Sequence, residues 1–275
     1  MLYVSKSIKL LCLNVSLFDD NNAKLAKFLK EEKPDIVCLQ EVSRKVDDSA
    51  YDEFISKDFV DTATTHLPFS SYAPNWSLKD FWQKNFHGKE LFEHDFGGIV
   101  EYGNYTKSKF SITSKKSVFV QGKYEYITDW EEFAKHPGEE SRNVLVVDLQ
   151  IDGQNVRILN YHGIWSRDKR GTSRTEAAST MLLQLAREVD YPTILCGDFN
   201  LFPDTKSMQM LNEKFVSLVD EYKITHTRPQ SNELSSEKRN VVDYMLVTND
   251  IIIDSFTVLD SDVSDHLPLV LEFRV

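Results

Sequence analysis

The sequence predicts an α/β protein, one domain over residues 1–275, built of two packed sheets flanked by helices. Three observations lead there. Apolar, β-branched runs of strand length alternate with amphipathic helical stretches, the two halves of the chain follow the same order, and no linker composition divides them. "IKLLCLN", a helix, then "PDIVCLQE" in the first half answers to "VRILNYH", a helix, then "PTILCGD" in the second. The spacing between these units differs, so the relation is a structural echo and not a repeat array.

Taken in order, "SIKLLCLNV" reads as a buried strand and "NNAKLAKFLKEE" as a helix capped near Asn21 or Asn22, with Ala23, Leu25, Ala26, Phe28 and Leu29 on one side. Pro34 ends that helix and "DIVCLQE" is a second buried strand, which closes a β-α-β unit. Residues 43–60 are expected to be mostly helical. The aromatic, weakly periodic segment 77–98 reads as a long loop or short helices. Strands follow at 99–106, 111–120, 143–151 and 155–161, with "DGQN" as a hairpin turn between the last two. "DWEEFAKHPGEE" is an exposed connection. A helix over about 173–188 leads into the strand "TILCGD"; a short helix near 205–213, a polar loop, the strand "VVDYMLV" and the terminal strand "PLVLEFRV" complete the chain.

Composition bounds the function. With 41% hydrophobic and 12% aromatic residues the chain can bury a full core. No apolar run reaches the roughly 20 residues that span a bilayer, and the start has no signal-peptide pattern, so a cytoplasmic location is expected. Cys12, Cys38 and Cys196 each lie in an apolar run without CxxC spacing and are expected to be buried free thiols. A net charge of -11, from 32 basic and 43 acidic residues, argues against a non-specific nucleic-acid coat. Carboxylates gathered around a metal would contribute to the same excess. The oligomeric state is taken as monomeric.

Polar residues end the predicted strands: Asn14, Glu41, His162, Asp198 with Asn200, Asp243, and the pair Asp265-His266. Each taken singly has a bland reading as a turn residue, a cap or a strand-end acid. Asp198 and Asn200 bracket Phe199, so an extended backbone points them to one side. An adjacent acid and histidine before a terminal strand have no obvious packing role. Together they suit metal-assisted phosphoester hydrolysis. A hard cation such as Mg²⁺ takes one or two carboxylates, several waters and a phosphate oxygen, and Glu41 with one or two of the aspartates supplies the carboxylates. Two histidines and two amides remain to orient water, donate to phosphoryl oxygens and protonate a leaving oxygen.

These residues lie in "LNV", "LQEV", "NYHG", "GDFNLFPD", "VVDYMLV" and "SDHLPL", and in that order the sequence resembles the endonuclease/exonuclease/phosphatase superfamily, the DNase I-like metal-dependent hydrolases. The resemblance spans residues 8–275. It implies a four-layer α/β/β/α sandwich with Mg²⁺ or Mn²⁺ at the shared edge of the two sheets. Glu41 would be the principal metal ligand, with Asn14 and Asp265 beside it. Asp198 would orient or deprotonate the attacking water, Asn200 would hold a phosphate oxygen, and His162 would assist the leaving group. His266, positioned by Asp243, would contact the phosphate or act as base. "YGNYTKSKF" resembles a further strand of many members and makes Asn104 a candidate substrate contact. Several branches carry an acid where this chain has Ser16, so a second direct ligand there is in doubt, with Asp19 or Asp20 as replacements from the loop.

The substrate is expected to contain phosphate: nucleic acid first, then a phospholipid head group or inositol phosphate, then another small phosphoester. "SRDKRGTSR" follows His162, and Arg167, Lys169, Arg170 and Arg174 are candidates for additional phosphates. The aromatics Trp76, Phe81, Trp82, Phe86, Phe92 and Phe96 read as packing under a long loop, or as a lip for a base or acyl chain. A binding or scaffold protein that keeps the fold without catalysis is the competing class; retention of every core position favours the enzyme. A Rossmann nucleotide-binding protein is set aside, since no Gly-rich loop follows the first strand.

Overall fold

In a computed structural model the chain is described over residues 6–16, 22–84, 91–128, 135–136, 138–229 and 240–275. The first unit is β1 (Ile8–Asn14), α1 (Asn22–Glu32) and β2 (Ile36–Lys45). Its strands run parallel, with Leu10 beside Ile36 and Asn14 beside Gln40. Only Leu25 and Leu29 of the expected α1 stripe are buried; Ala23 is exposed. Contrary to the helical expectation for residues 43–60, β2 continues to Lys45, because Val42 to Lys45 pair with the fourth strand. A 3₁₀ turn (Asp52–Phe54) and α2 (Ser56–Ala63) follow.

The larger departure is the aromatic segment, which is a long hairpin of β3 (Phe69–Lys84) and β4 (Leu91–Ser108). Register shifts between Pro74 and Trp76 and between Leu78 and Asp80 restart the inside-outside alternation, which hides the period of two from a sequence pattern. Trp76, Leu78, Phe96, Val100, Tyr102 and Ile127 form a separate apolar cluster there. Asp19, Asp20 and Phe86 lie outside the described residues, as do the side chains of Phe81, Trp82 and Phe92 and most of "DWEEFAKHPGEE".

Then come β5 (Ser111–Gln121), β6 (Glu125–Ile127), β7 (Arg142–Ile151) and β8 (Gln154–His162). The β7-β8 hairpin turns on Asp152 and Gly153, whose φ values of 48° and 88° are those the expected turn needs. Next, α3 (Ser173–Arg187) is capped by the Thr172 hydroxyl and leads to β9 (Thr193–Asp198), parallel to β8. The chain ends with α4 (Lys206–Leu211), β10 (Val216–Ser217), α5 (Leu218–Glu221), β11 (Asp243–Val247), β12 (Ile252–Val258) and β13 (Leu269–Arg274). β12 has no counterpart among the expected strands: at a sheet edge it buries little, and its apolar run, Ile251 to Ile253, is cut short by Asp254 and Ser255.

Two mixed sheets result, in the orders β12-β13-β1-β2-β4-β3-β6 and β10-β11-β9-β8-β7-β5. They share one core, in which Cys12 and Cys38 of the first sheet and Cys196 of the second are buried free thiols. The outer face of the first sheet packs Leu11, Leu13, Val37 and Leu39 against Leu25 and Leu29 of α1 and Val60 of α2. The echo has a structural counterpart: β1-β2 and β8-β9 are parallel pairs at the centres of their sheets, and each has an antiparallel neighbour, β13 or β11. Among the described residues no helix is long and apolar enough to cross a membrane.

Candidate active site

A parallel strand and its antiparallel neighbour bring opposite ends to the same edge of a sheet. β1, β8 and β9 therefore deliver their last residues, Asn14, His162 and Asp198, β2 delivers Glu41 from the bulge within it, and β11 delivers its first, Asp243, which pairs with Asp198. The segment entering β13 is tied to the same edge: Ser264 Oγ donates to Asn14 O at 2.7 Å and accepts from His266 N at 3.2 Å.

Local backbone geometry aims these side chains. A bulge between Leu39 and Val42 lifts Glu41 out of the ladder at φ 59°. Asn200 takes φ 56° as the chain turns back over Asp198, whose Oδ1 accepts from Asn200 N at 2.8 Å. Left-handed φ at non-glycine residues costs about 1 kcal/mol or more and persists where the surroundings enforce it. Close approach does the rest. A Cβ on Gly197 would lie 1.8 Å from Tyr161 O, and one on Gly163 would lie 2.2 Å from Phe199 O.

Asp198 is the hub. Asn14 Nδ2 donates to its Oδ2 at 3.2 Å and to Glu41 Oε1 at 3.1 Å, and Asn200 Nδ2 donates to the same Oδ2 at 3.2 Å. His162 Nε2 stands 3.6 Å from Glu41 Oε1 and 3.8 Å from Asp198 Oδ2; His266 Nε2 stands 3.6 Å from Asp198 Oδ2. On its other side His266 Nδ1 meets Asp243 Oδ1 at 2.8 Å. Asn14 faces this centre with its N–H, because Ser16 N already donates to its Oδ1 at 3.0 Å.

Four expected contacts lie elsewhere. Asn104 is fully buried between the sheets, where its Nδ2 donates to Asn143 O at 2.9 Å and Asn143 Oδ1 at 3.1 Å. Arg167 and Arg174 are exposed. Arg170 is also exposed and forks onto Asp204 at 2.8 and 2.9 Å. Of that basic cluster it is Lys169 that turns inward: it is buried, and its Nζ donates to Asn200 Oδ1 at 2.5 Å. Two cations at the site carry no signal in the sequence pattern. Arg142 opens β7 and bonds Gly163 O through Nε at 3.1 Å; its position follows from the β7-β8 hairpin, which sets the start of one strand beside the end of the other. Arg228 comes from the polar loop before β11, where nothing in the local pattern distinguishes it. It pairs with Asp265 Oδ2 and sets Nη1 2.7 Å from His266 Nε2.

Electrostatics separate the two histidines. Burial and the Arg142 charge hold His162 well below its usual pKa, so it is neutral. Burial alone would lower His266 as well, but Asp243 and Asp265 outweigh it and raise the group to about 9. Asp243 itself is raised by burial, so the imidazole and carboxyl share a proton across their 2.8 Å contact, and the favoured holder is His266. A guanidinium only donates, so Arg228 Nη1 hydrogen-bonds Nε2 only in the neutral ring with its proton on Nδ1; the charged ring, with N–H on both nitrogens, gives that bond up. For Asp198, burial is overcome by His266, His162, Lys169 and Arg228, which depress it to about 2. Burial brings Lys169 down to about 8.

Glu41 and Asp265 keep 25% and 36% of their side-chain surface, whereas Asp198 and Asp243 keep 3% and 4%. Mg²⁺ and Mn²⁺ favour oxygen ligands, and Mg²⁺ retains several waters, so the residue set fits such an ion on the open, Glu41 side. Asp198, Asp243 and His266 also bring ligand atoms within 4.8 Å of one another; Asn14 and Asn200 already donate to Asp198 Oδ2 and Arg228 meets His266 Nε2, whereas Asp243 Oδ2 is buried without a hydrogen-bond partner in the protein.

Comparison with curated protein sequences gives no match. Several solved structures have the same fold. An endonuclease/exonuclease/phosphatase from Bacteroides vulgatus is 13% identical, with 98% of this chain and 100% of that one covered at a TM-score of 0.69. The mannosyl-6-phosphatase Bt3783 of Bacteroides thetaiotaomicron is 14% identical over 98% and 100%, at 0.65. The human Nocturnin catalytic domain, solved with a bound sulfate anion, is 17% identical over 98% and 93%, at 0.65. A family profile described as the Endonuclease/Exonuclease/phosphatase family matches residues 11–266. That span takes in every strand end gathered at the Asp198 hub, and the chain belongs to the endonuclease/exonuclease/phosphatase family.

Proposed function

We propose that this chain is a divalent-cation-dependent hydrolase of phosphoesters, acting at the edge where Glu41, Asp198 and His266 converge. The observation that carries the reading is the meeting of two amides, two carboxylates and two histidines at the Asp198 hub, with one histidine held neutral and the other charged. Pairs of titratable groups pushed apart in this way define separate chemical roles. Glu41 and Asp265 would hold Mg²⁺ or Mn²⁺, which when bound polarises a phosphoryl oxygen and offsets developing charge. Asn14 spans Glu41 and Asp198 and keeps their relative position.

Asp198, ionised down to about pH 2, is too weak a base to take a proton far; its role is to orient the attacking water and stabilise positive charge around it. His266 faces the same oxygen through Nε2 and is braced by Asp243, which suits it to hold or deliver a proton at the phosphate. His162, neutral and 3.6 Å from Glu41, is placed to donate a hydrogen bond toward the leaving oxygen. Asn200 and Lys169 present N–H groups for non-bridging oxygens. The mannosyl-6-phosphatase among the structures of similar fold is consistent with such chemistry on this scaffold. The test is turnover of a phosphoester panel with Mg²⁺ or Mn²⁺: EDTA and Glu41→Gln should each nearly abolish it, and full turnover in EDTA would overturn the reading.

A further inference from the structure

The cations near the hub lie on its floor and not on its rim. Arg228 keeps 11% of its side-chain surface, and Lys169 and Arg142 are buried. Arg228 is held by a rigid frame: Thr227 Oγ1 accepts from Val242 N and Asp243 N, both at 3.1 Å, and Thr227 O accepts from Leu267 N at 2.8 Å. Its guanidinium is not fully used. Nη2 meets Asp265 and Nη1 meets His266, but Nε is buried with no hydrogen-bond partner in the protein. An orphaned buried donor is costly and calls for an acceptor. Lys169 Nζ, with three N–H groups, donates to Asn200 and lies 4.8 Å from the centroid of the Trp165 ring. Two cations from separate loops thus flank the carboxylate at which the water would be oriented.

The rim has the opposite character. Arg170 pairs with Asp204 and Lys206 with Glu176 at 2.6 Å, while Arg167 and Arg174 are exposed. A nucleic-acid strand needs a track of cations for successive phosphates, and here Arg170 and Lys206 are each matched by an acid in a chain of net charge -11. A single terminal phosphate needs a compact cluster of donors around one group. Such a monoester is close to a dianion at neutral pH, whereas a diester carries one charge.

We propose, resting on the hydrolase reading above, that the site selects phosphomonoesters, with Arg228 and Lys169 as the specificity-determining contacts to the non-bridging oxygens of a terminal phosphate. Arg228 is a substrate contact in its own right in this proposal: its Nη1 leaves His266 Nε2 for a phosphate oxygen and its Nε gains the acceptor it lacks. The same movement exposes Nε2 to the reacting group.

The experiment compares wild type, Arg228→Gln and Arg228→Lys on p-nitrophenyl phosphate, bis(p-nitrophenyl) phosphate and a single-stranded oligonucleotide, with Mn²⁺ present. Inorganic phosphate binding is followed in parallel by calorimetry. Wild type should prefer the monoester by at least about tenfold in kcat/KM. Arg228→Gln should lower the monoester value by about 10- to 100-fold and the diester value far less, as expected for loss of one or two charge-assisted hydrogen bonds. Arg228→Lys should recover part of it. Phosphate affinity should fall by about tenfold or more in Arg228→Gln. Preference for the diester or oligonucleotide would overturn the proposal and leave the hydrolase reading standing, as would an equal loss on both esters. If wild type turned over none of the three, the hydrolase reading would fail, and calorimetry would decide alone: phosphate binding lost in Arg228→Gln sustains the cation site, and absence of binding in wild type removes it.

Discussion

Asn160 offers a direct test of how the two sheets position Glu41. It lies fully buried on β8, and its Nδ2 reaches across to the other sheet, to Leu39 O and Tyr105 O at 3.1 Å and Thr106 Oγ1 at 3.2 Å. Leu39 and Tyr105 are the last paired residues before the bulge that lifts Glu41 into the site. In return Asn160 Oδ1 accepts from Gln40 Nε2 at 2.7 Å; the other contacts of that nitrogen are long, 3.5 Å to Cys38 O and 3.6 Å to Cys12 Sγ. Asn160→Leu preserves volume, so the cavity contribution is small, but it strips a donor from two buried carbonyls and the acceptor from one buried amide. At about 1–3 kcal/mol for each group left unsatisfied, and with partial relaxation, the loss should be about 3–5 kcal/mol. Urea unfolding with a slope near 3 kcal/mol/M would show the midpoint falling by about 1–2 M. Because the bulge would no longer be anchored, Mn²⁺ affinity should drop by about tenfold or more, the usual scale for groups that orient a metal ligand. A midpoint shift under about 0.3 M with unchanged Mn²⁺ affinity would refute the view that this amide holds the bulge.

Three further outcomes follow from the same structure. Lys169 titrates near pH 8, and its charged form is the one that binds phosphate. KM for a phosphomonoester, already a dianion above about pH 7, should therefore rise as pH increases through 8, and Lys169→Met should have a high, flat KM over that range. Gly197→Ala drives a Cβ to 1.8 Å from Tyr161 O at φ 145° and should cost more than about 4 kcal/mol or abolish soluble expression, whereas Gly153→Ala, with open space around it, should cost about 1 kcal/mol from its φ of 88° alone; thermal unfolding separates the two. Asp148→Ala leaves the buried Arg157 without its fork partner at 2.8 and 3.0 Å and should destabilise by about 3–5 kcal/mol, while Asp148→Leu combined with Arg157→Met should recover most of that in the same unfolding assay.

What the sequence makes legible divides along a physical line. Strand interiors announce themselves by apolar runs, and a polar residue that ends such a run stands out, so Asn14, Glu41, His162 and Asp198 are readable as one edge from the order of residues alone. Asp243 and His266 follow because they bracket apolar strands in the same way. The β3-β4 hairpin is hidden because its register shifts break the alternation on which strand recognition depends. Arg228 is hidden for a different reason: its position depends on Thr227 being pinned to β11 and to the segment entering β13, a tertiary constraint that leaves no periodic trace.

The site also needs something that periodicity does not encode, the offset of one sheet against the other. Glu41 belongs to one sheet and Asp198 and His162 to the other, so a slide of about 3.3 Å, one residue along a strand, would separate them. Apolar packing between sheets tolerates such slides, since one aliphatic contact replaces another. Hydrogen bonds do not. Gln40 to Asn160, Asn104 to Asn143 and Asn143 to Asn75 each join a residue of the first sheet to one of the second inside an otherwise apolar interior. The cost of leaving buried amides unpaired makes one offset strongly preferred over its neighbours. On this account Asn104, expected at the substrate, serves the site from below: it helps fix the inter-sheet register that lets Asn14 span Glu41 and Asp198.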